Sequence, residues 1–174
     1  TSSSTGAFTF SIADGSVASV SGNTVTIQGA GSTIVTVNQA ADSNYNSATA
    51  TMTLTVVKAN PTIAFDDITK VLSDPDFSLS ASSNSSGAFT YSIANSGVAT
   101  VSGASVSLEG LGSTTVTVNQ AADNNYNSGT ASMTLTVNKP VPLIDFNDIT
   151  KSVGDPDFTL SATSSSTGAF TYSI

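Results

Sequence analysis

The chain is 174 residues long, carries twelve acidic residues against four lysines for a net charge of −8, and contains no Cys, His or Trp. That sign excludes the basic footprint that nucleic acid demands and disfavours an anionic membrane surface. Without His or Cys the commonest general base and the strongest nucleophile are missing, and no apolar run approaches the roughly 18–20 residues of a membrane span.

The clearest elements, in chain order, have a period of two. "TIAF" (62–65) offers Ile63 and Phe65 on one face, and "FSLSA" (77–81) offers Phe77, Leu79 and Ala81. "FTYSI" (89–93) alternates Phe89, Tyr91 and Ile93 with Thr90 and Ser92, and "SVSLEG" (105–110) pairs Val106 with Leu108. "TTVTVNQAA" (114–122) sets Val116 and Val118 against Thr115 and Thr117; "ASMTLTV" (131–137) sets Met133, Leu135 and Val137 against Thr134 and Thr136. Such alternation marks half-buried strands with polar outer faces, and β-branched Val and Thr suit a pleated surface. No helical stripe is found. Turn signals separate the runs: "NSSG" at 84–87, "SG" at 102–103, "EGLGS" at 109–113 and "ADNNYNSG" at 122–129. Six or seven short strands with turns every 8–12 residues predict an all-β antiparallel sandwich of Ig-like type.

The pattern repeats. "TGAFTFSIA" starts at Thr5, "SGAFTYSIA" at Ser86 and "TGAFTYSI" at Thr167, so the step is 81 residues. Residues 5–85 align with 86–166 without a gap, and 53 of the 81 positions are identical. Drift without insertion says that each repeat is one structural unit. Pro61, Pro140 and Pro142 follow a last alternating strand and precede a first one, where the missing donor ends pairing. The expected organisation is a head-to-tail rod: 1–58 a partial repeat lacking its first strands, 59–139 complete, and 140–174 a partial repeat with first strands only. Residues 1–12 and 163–174 differ only at Phe10 and Tyr172. The expectation is a window on a longer filament, or else completion of 1–58 by 140–174 of a neighbouring copy.

With "VATVSG", "GSTTVTVNQAADNNYN" and "TASMTLTVNK" in place, the chain resembles bacterial Ig-like tandem repeats. Its "FDDITK…DPDF…GAFTYSIA" portion is similar to the version in giant surface adhesins of gliding bacteria of the Bacteroidetes. The resemblance covers every copy. It implies a structural module of a long extracellular filament, associated with the outer membrane and serving attachment and gliding. Its partners would be neighbouring repeats and a substratum or surface polysaccharide. The alternative is a spacer or carbohydrate-binding module beside a secreted polysaccharide-active domain.

Candidate sites are few. Asp66, Asp67, Asp74 and Asp76 lie near the seam between repeats; Asp148, Asp155 and Asp157 recur one step later, with Asn147 in place of Asp66. Asp74, Asp76, Asp155 and Asp157 are weak candidates for calcium, which takes six to eight oxygens. The duplicated "DPDF" lacks the glycine-bearing loop of strong calcium motifs, and the simpler reading is a turn around proline whose carboxylates take local backbone donors. No other cofactor and no catalytic residue is expected. Tyr45 and Tyr126 could stack on sugars, but a Tyr in such a loop more often packs on the sandwich end. Thr ladders could suggest ice binding, yet Thr is simply a good β-former. Lys70 and Lys151, in "DITK", could form isopeptide cross-links, but a solvated lysine guarding an edge strand is the simpler use.

Overall fold

A computed structural model describes residues 2–173. Five strands come first: β1 (Phe8–Ile12), β2 (Ala18–Ser21), β3 (Thr24–Ile27), β4 (Gly31–Gln39) and β5 (Ala48–Val56). Nine follow: β6 (Ile63–Ala64), β7 (Ile68–Val71), β8 (Phe77–Ser78), β9 (Ser82–Ser83), β10 (Phe89–Ile93), β11 (Ala99–Ser102), β12 (Ser105–Leu108), β13 (Gly112–Gln120) and β14 (Gly129–Asn138). Two short strands, β15 (Ile144–Asp145) and β16 (Thr163–Ser164), complete the described chain. The fold is all-β, a sandwich of antiparallel sheets.

The middle region shows why. One sheet has the order β10-β13-β14-β7 and the other β11-β12-β8, with β6 and β9 paired beside them. Alternation turns Val116, Met133, Leu135 and Val137 of the first sheet inward, onto Ala99 and Val106 of the second and the adjoining Leu79 and Val98. Half-buried Phe65, Phe77 and Tyr91 close the rim of this core. Burying one such aliphatic side chain is worth about 1.5–3 kcal/mol, so the inward rows hold the sheets together. The ladders are antiparallel but for one: β7 runs parallel to β14, with Ile68 opposite Leu135 and Val71 opposite Asn138. Alternation predicts the strands but carries no sign of their relative direction, so this pair was not expected.

Polar residues also occupy the inward row of β13. Thr114 and Gln120 are buried along with Val116 and Val118. Thr114 Oγ1 accepts the Asn95 N–H at 3.0 Å. Gln120 Nε2 donates to the carbonyls of Ser85 and Gly87 at 3.0 Å each. Both side chains tie down a chain that enters or leaves β10; these bonds offset part of the cost of burial, while Gln120 Oε1 is buried with no hydrogen-bond partner among the described residues.

The first repeat has the same strands but not the same cover. β1-β4-β5 and β2-β3 reproduce β10-β13-β14 and β11-β12 with the same register. Yet Met52 is 58% exposed where Met133 is 3%, and Val25 is 42% exposed where Val106 is fully buried. What differs is β7 and β8. No strand among the described residues pairs with the outer edges of β5 and β3 as β7 and β8 pair with β14 and β12.

Candidate functional site

The residues that organise the molecule lie where one repeat meets the next. Asp123 sits in the loop between β13 and β14 and is the loop's centre. Its Oδ1 accepts the N–H groups of Asn125 at 2.8 Å and Tyr126 at 2.7 Å, an Asx turn. Its Oδ2 accepts the Ser86 N–H at 2.8 Å and the hydroxyls of Ser85 and Ser86 at 2.9 Å each. One carboxylate thus shapes its own loop and pins the segment that leads into β10. Asp42 does the same one repeat earlier, with Asn44 and Tyr45 on Oδ1 and Ser4 and Thr5 on Oδ2.

These donors hold both carboxyls well below the usual carboxylate range. For Asp123 the Ser86 amide is the largest cause; partial loss of hydration opposes it, and the Asn125 amide and the hydroxyls of Ser86 and Ser85 add to it. For Asp42 the Asn44 amide leads, followed by the Thr5 amide and the Ser4 hydroxyl. A depressed folded-state pKa gives stability that is present above the ordinary aspartate pKa of about 4 and is lost as pH falls below it. We expect the melting temperature to drop as pH falls from about 4 toward 2, and to drop less in the double variant D42N/D123N. Identical acid profiles for the two proteins would contradict this role.

The loop that Asp123 builds holds the start of its own repeat, at Ala59 and Asn60, and reaches the preceding repeat at Lys58 and Ala30. The Ala59 N–H donates to the Asn125 carbonyl at 2.9 Å and the Asn127 N–H to the Ala59 carbonyl at 2.8 Å, forming a parallel bridge between Ala59 and Tyr126. Lys58 Nζ donates to the Asp123 carbonyl at 2.6 Å, and Asn127 Nδ2 donates to Asn60 Oδ1 at 2.8 Å. The Ala30 N–H, in the turn between β3 and β4, donates to Asn125 Oδ1 at 2.9 Å. Tyr126 borders a shallow crevice with Ile27, Ala30, Val56, Val57 and Ala59. The seam is therefore a hydrogen-bonded joint, not a free tether.

The sequence-predicted residues fall elsewhere. Asp74 Oδ2 accepts the Val71 N–H at 3.0 Å, and Asp155 repeats this with Ser152 at 2.8 Å. Asp76 Oδ2 accepts the Ser107 hydroxyl at 2.9 Å, and Asp157 is exposed. Asp67 Oδ1 accepts the Thr134 N–H at 2.6 Å, extending the contact of β7 with β14. Among the described residues no three carboxylates gather at metal-binding distance. Tyr126 is half-buried at the seam, whereas Tyr45 is exposed. Lys70 lies on β7, the outer strand of its sheet, with its ammonium 4.9 Å from the centre of the Phe77 ring. Lys151 stands over Phe158 in the same manner, at 5.5 Å.

Sequence reading missed Asp42, Asp123 and Asn125. The repeat gives only a partial signal: Asp42 and Asp123 are the same in both repeats, but so are Asp67, Asp74 and Asp76 with Asp148, Asp155 and Asp157.

No family model matches the chain, and no curated protein matches it. Among solved structures it is similar to human protocadherin-24 EC1-2, at 13% identity over 77% of this chain and 83% of that one, with a TM-score of 0.34. It is also similar to Drosophila N-cadherin EC1-3, at 14% identity over 78% of this chain and 56% of that one, with a TM-score of 0.37. No helix among the described residues is long and apolar enough to cross a membrane.

Proposed function

We propose that the chain is a run of structural repeats from a long extracellular surface adhesin. In this reading 59–139 is a complete unit, 1–58 and 140–174 are parts of its neighbours, and the repeats serve to extend and orient whatever makes contact with the substratum. The observation that supports it most is the seam: an 81-residue unit repeated without insertion, met by the preceding one through Lys58 Nζ on the Asp123 carbonyl and the Ala30 N–H on Asn125 Oδ1. A spacer with independent domains would have no use for a loop built to grip the preceding unit. The resemblance of the "FDDITK…DPDF…GAFTYSIA" repeat carries the finer reading, a gliding-motility adhesin on the outer surface. Catalysis forms no part of it.

Antibodies raised against residues 59–139 should label intact cells that make the protein. Cells from which the parent gene is deleted should lose attachment and spreading on glass. Labelling that requires permeabilised cells, or attachment that survives the deletion, would overturn the reading.

A further inference from the structure

Of the bonds made by the Asp123 loop, those at Ala59 and Asn60 stay within the unit that begins at residue 59. Two cross to the preceding repeat: Asn125 Oδ1 takes the Ala30 N–H, 95 positions away, and the Asp123 carbonyl takes Lys58 Nζ. The Asn125 side chain does nothing for its own loop. The Asx turn uses its backbone N–H, and the bridge to Ala59 uses its backbone carbonyl. Its amide oxygen is left for the neighbour. It projects from a fixed platform, because the Asp123 carboxylate takes five donors. The turn that receives it lies close: a Cβ on Gly29 would stand 3.1 Å from Asn125 Oδ1. Between the two repeats the chain crosses through "VKANP" (57–61), which holds no glycine and ends on Pro61, a stiff connection.

The 81-residue step shows which of these contacts a second seam can keep. Asn44 stands where Asn125 does, Lys139 where Lys58 does, and Gly110 where Gly29 does. Leu111 replaces Ala30, and a backbone N–H survives that change. Pro140 replaces Ala59, and its nitrogen cannot donate. The bonds to the side-chain amide and from the ammonium can therefore recur at every step, whereas the Ala59 N–H bond cannot. We propose that Asn125 and Lys58 are the joint residues, which lock one orientation between consecutive repeats. The proposal rests on the reading of the chain as part of a rod and adds to it a fixed angle. The Lys58 bond is charge-assisted, and both bonds act on a crossing segment that is already short and stiff, so little rotation is left to restrain. A fixed angle applied at a constant step winds the rod with one pitch.

Electron–electron double resonance between two spin labels on the 174-residue chain tests this. The chain has no Cys, so Thr51→Cys and Ser132→Cys, both exposed and one step apart on β5 and β14, place the labels alone. Without further change the distance distribution should be a single narrow peak. Asn125→Ala combined with Lys58→Met should lose that peak to a broad spread. Asn44→Ala, the same change in the same turn one repeat earlier, should leave it intact. A second pair of labels within the middle repeat, at Ser102→Cys and Ser132→Cys, should stay narrow in every variant. A broad distribution from the unaltered joint overturns the proposal, and so does a narrow peak at the same distance in the double variant. Broadening of the pair within the middle repeat overturns it as well, because the two side chains would then be holding their own loop. These outcomes concern the joint alone; the adhesin reading falls only to the labelling and attachment of cells.

Discussion

Replacing Val118 by Asp should unfold the middle repeat or leave it barely stable, while Thr117→Asp one position away should be tolerated. Val118 is fully buried on β13, opposite Tyr91 of β10 and Ala131 of β14. An aspartate there brings a charge with no partner into an apolar layer. Losses of about 3–5 kcal/mol are typical of an uncompensated buried charge. A unit of this size has on the order of 4–12 kcal/mol in total. Thr117 faces outward on the same strand and is half-exposed, so its substitution should stay within about 1 kcal/mol. Chemical denaturation of the two variants decides the matter. Equal losses would show that the inward and outward rows have been exchanged.

Gly87→Ala should free β10 from its sheet. Gly87 has no unusual φ; the constraint is proximity. A Cβ at this position would collide with the Ala121 carbonyl oxygen. The same stretch is fixed from two further sides: the Ala121 N–H donates to the Ala88 carbonyl at 2.9 Å, and the Gln120 side chain holds the Gly87 carbonyl. The backbone must therefore move, and the ladder from Phe89–Gln120 to Ile93–Val116 moves with it. Overpacking of this kind costs about 1–3 kcal/mol. Amide exchange in Phe89–Ile93 should accelerate well beyond that of the strands β11 and β12. Unchanged exchange in β10 would mean that the crossing is looser than its geometry implies. Gly6, which meets the Ala40 carbonyl in the same way, predicts a matching effect in the first repeat.

The strands were legible in the sequence because each alternating run has its own face to bury. "TVTV" and "MTLTV" admit one register, since a slip of one residue would turn Val116 or Leu135 to water. The repeat step was legible for the same reason, applied twice. Two things were not. The direction of β7 against β14 depends on how the chain crosses between sheets, and "ITKV" reads the same either way. The work of Asp123 depends on donors from Ser85 and Ser86, some 37 residues away, which no local pattern announces. The carboxylates of "DPDF", one residue apart, make the more conspicuous pattern. Adjacency in sequence proved a poor guide: Asp74 serves a local turn, and Asp76 reaches across to Ser107.

The parallel pairing of β7 with β14 has a mechanical consequence. β7 lies near the point where the chain enters the middle repeat, and β14 ends where the chain leaves it. A pull applied along the polypeptide draws β7 toward its own beginning and β14 toward its own end. Because the two strands point the same way, those pulls slide one past the other along their shared length. The backbone bonds between them are then loaded side by side and must yield together. In an antiparallel pair joined at one end they would open one after another, like a zipper. Resistance to stretching is a matter of unfolding rate rather than equilibrium stability, so a repeat of modest stability can still be hard to pull apart. The short strand Ile68–Val71 is the clasp that decides how much drag each link of the chain withstands.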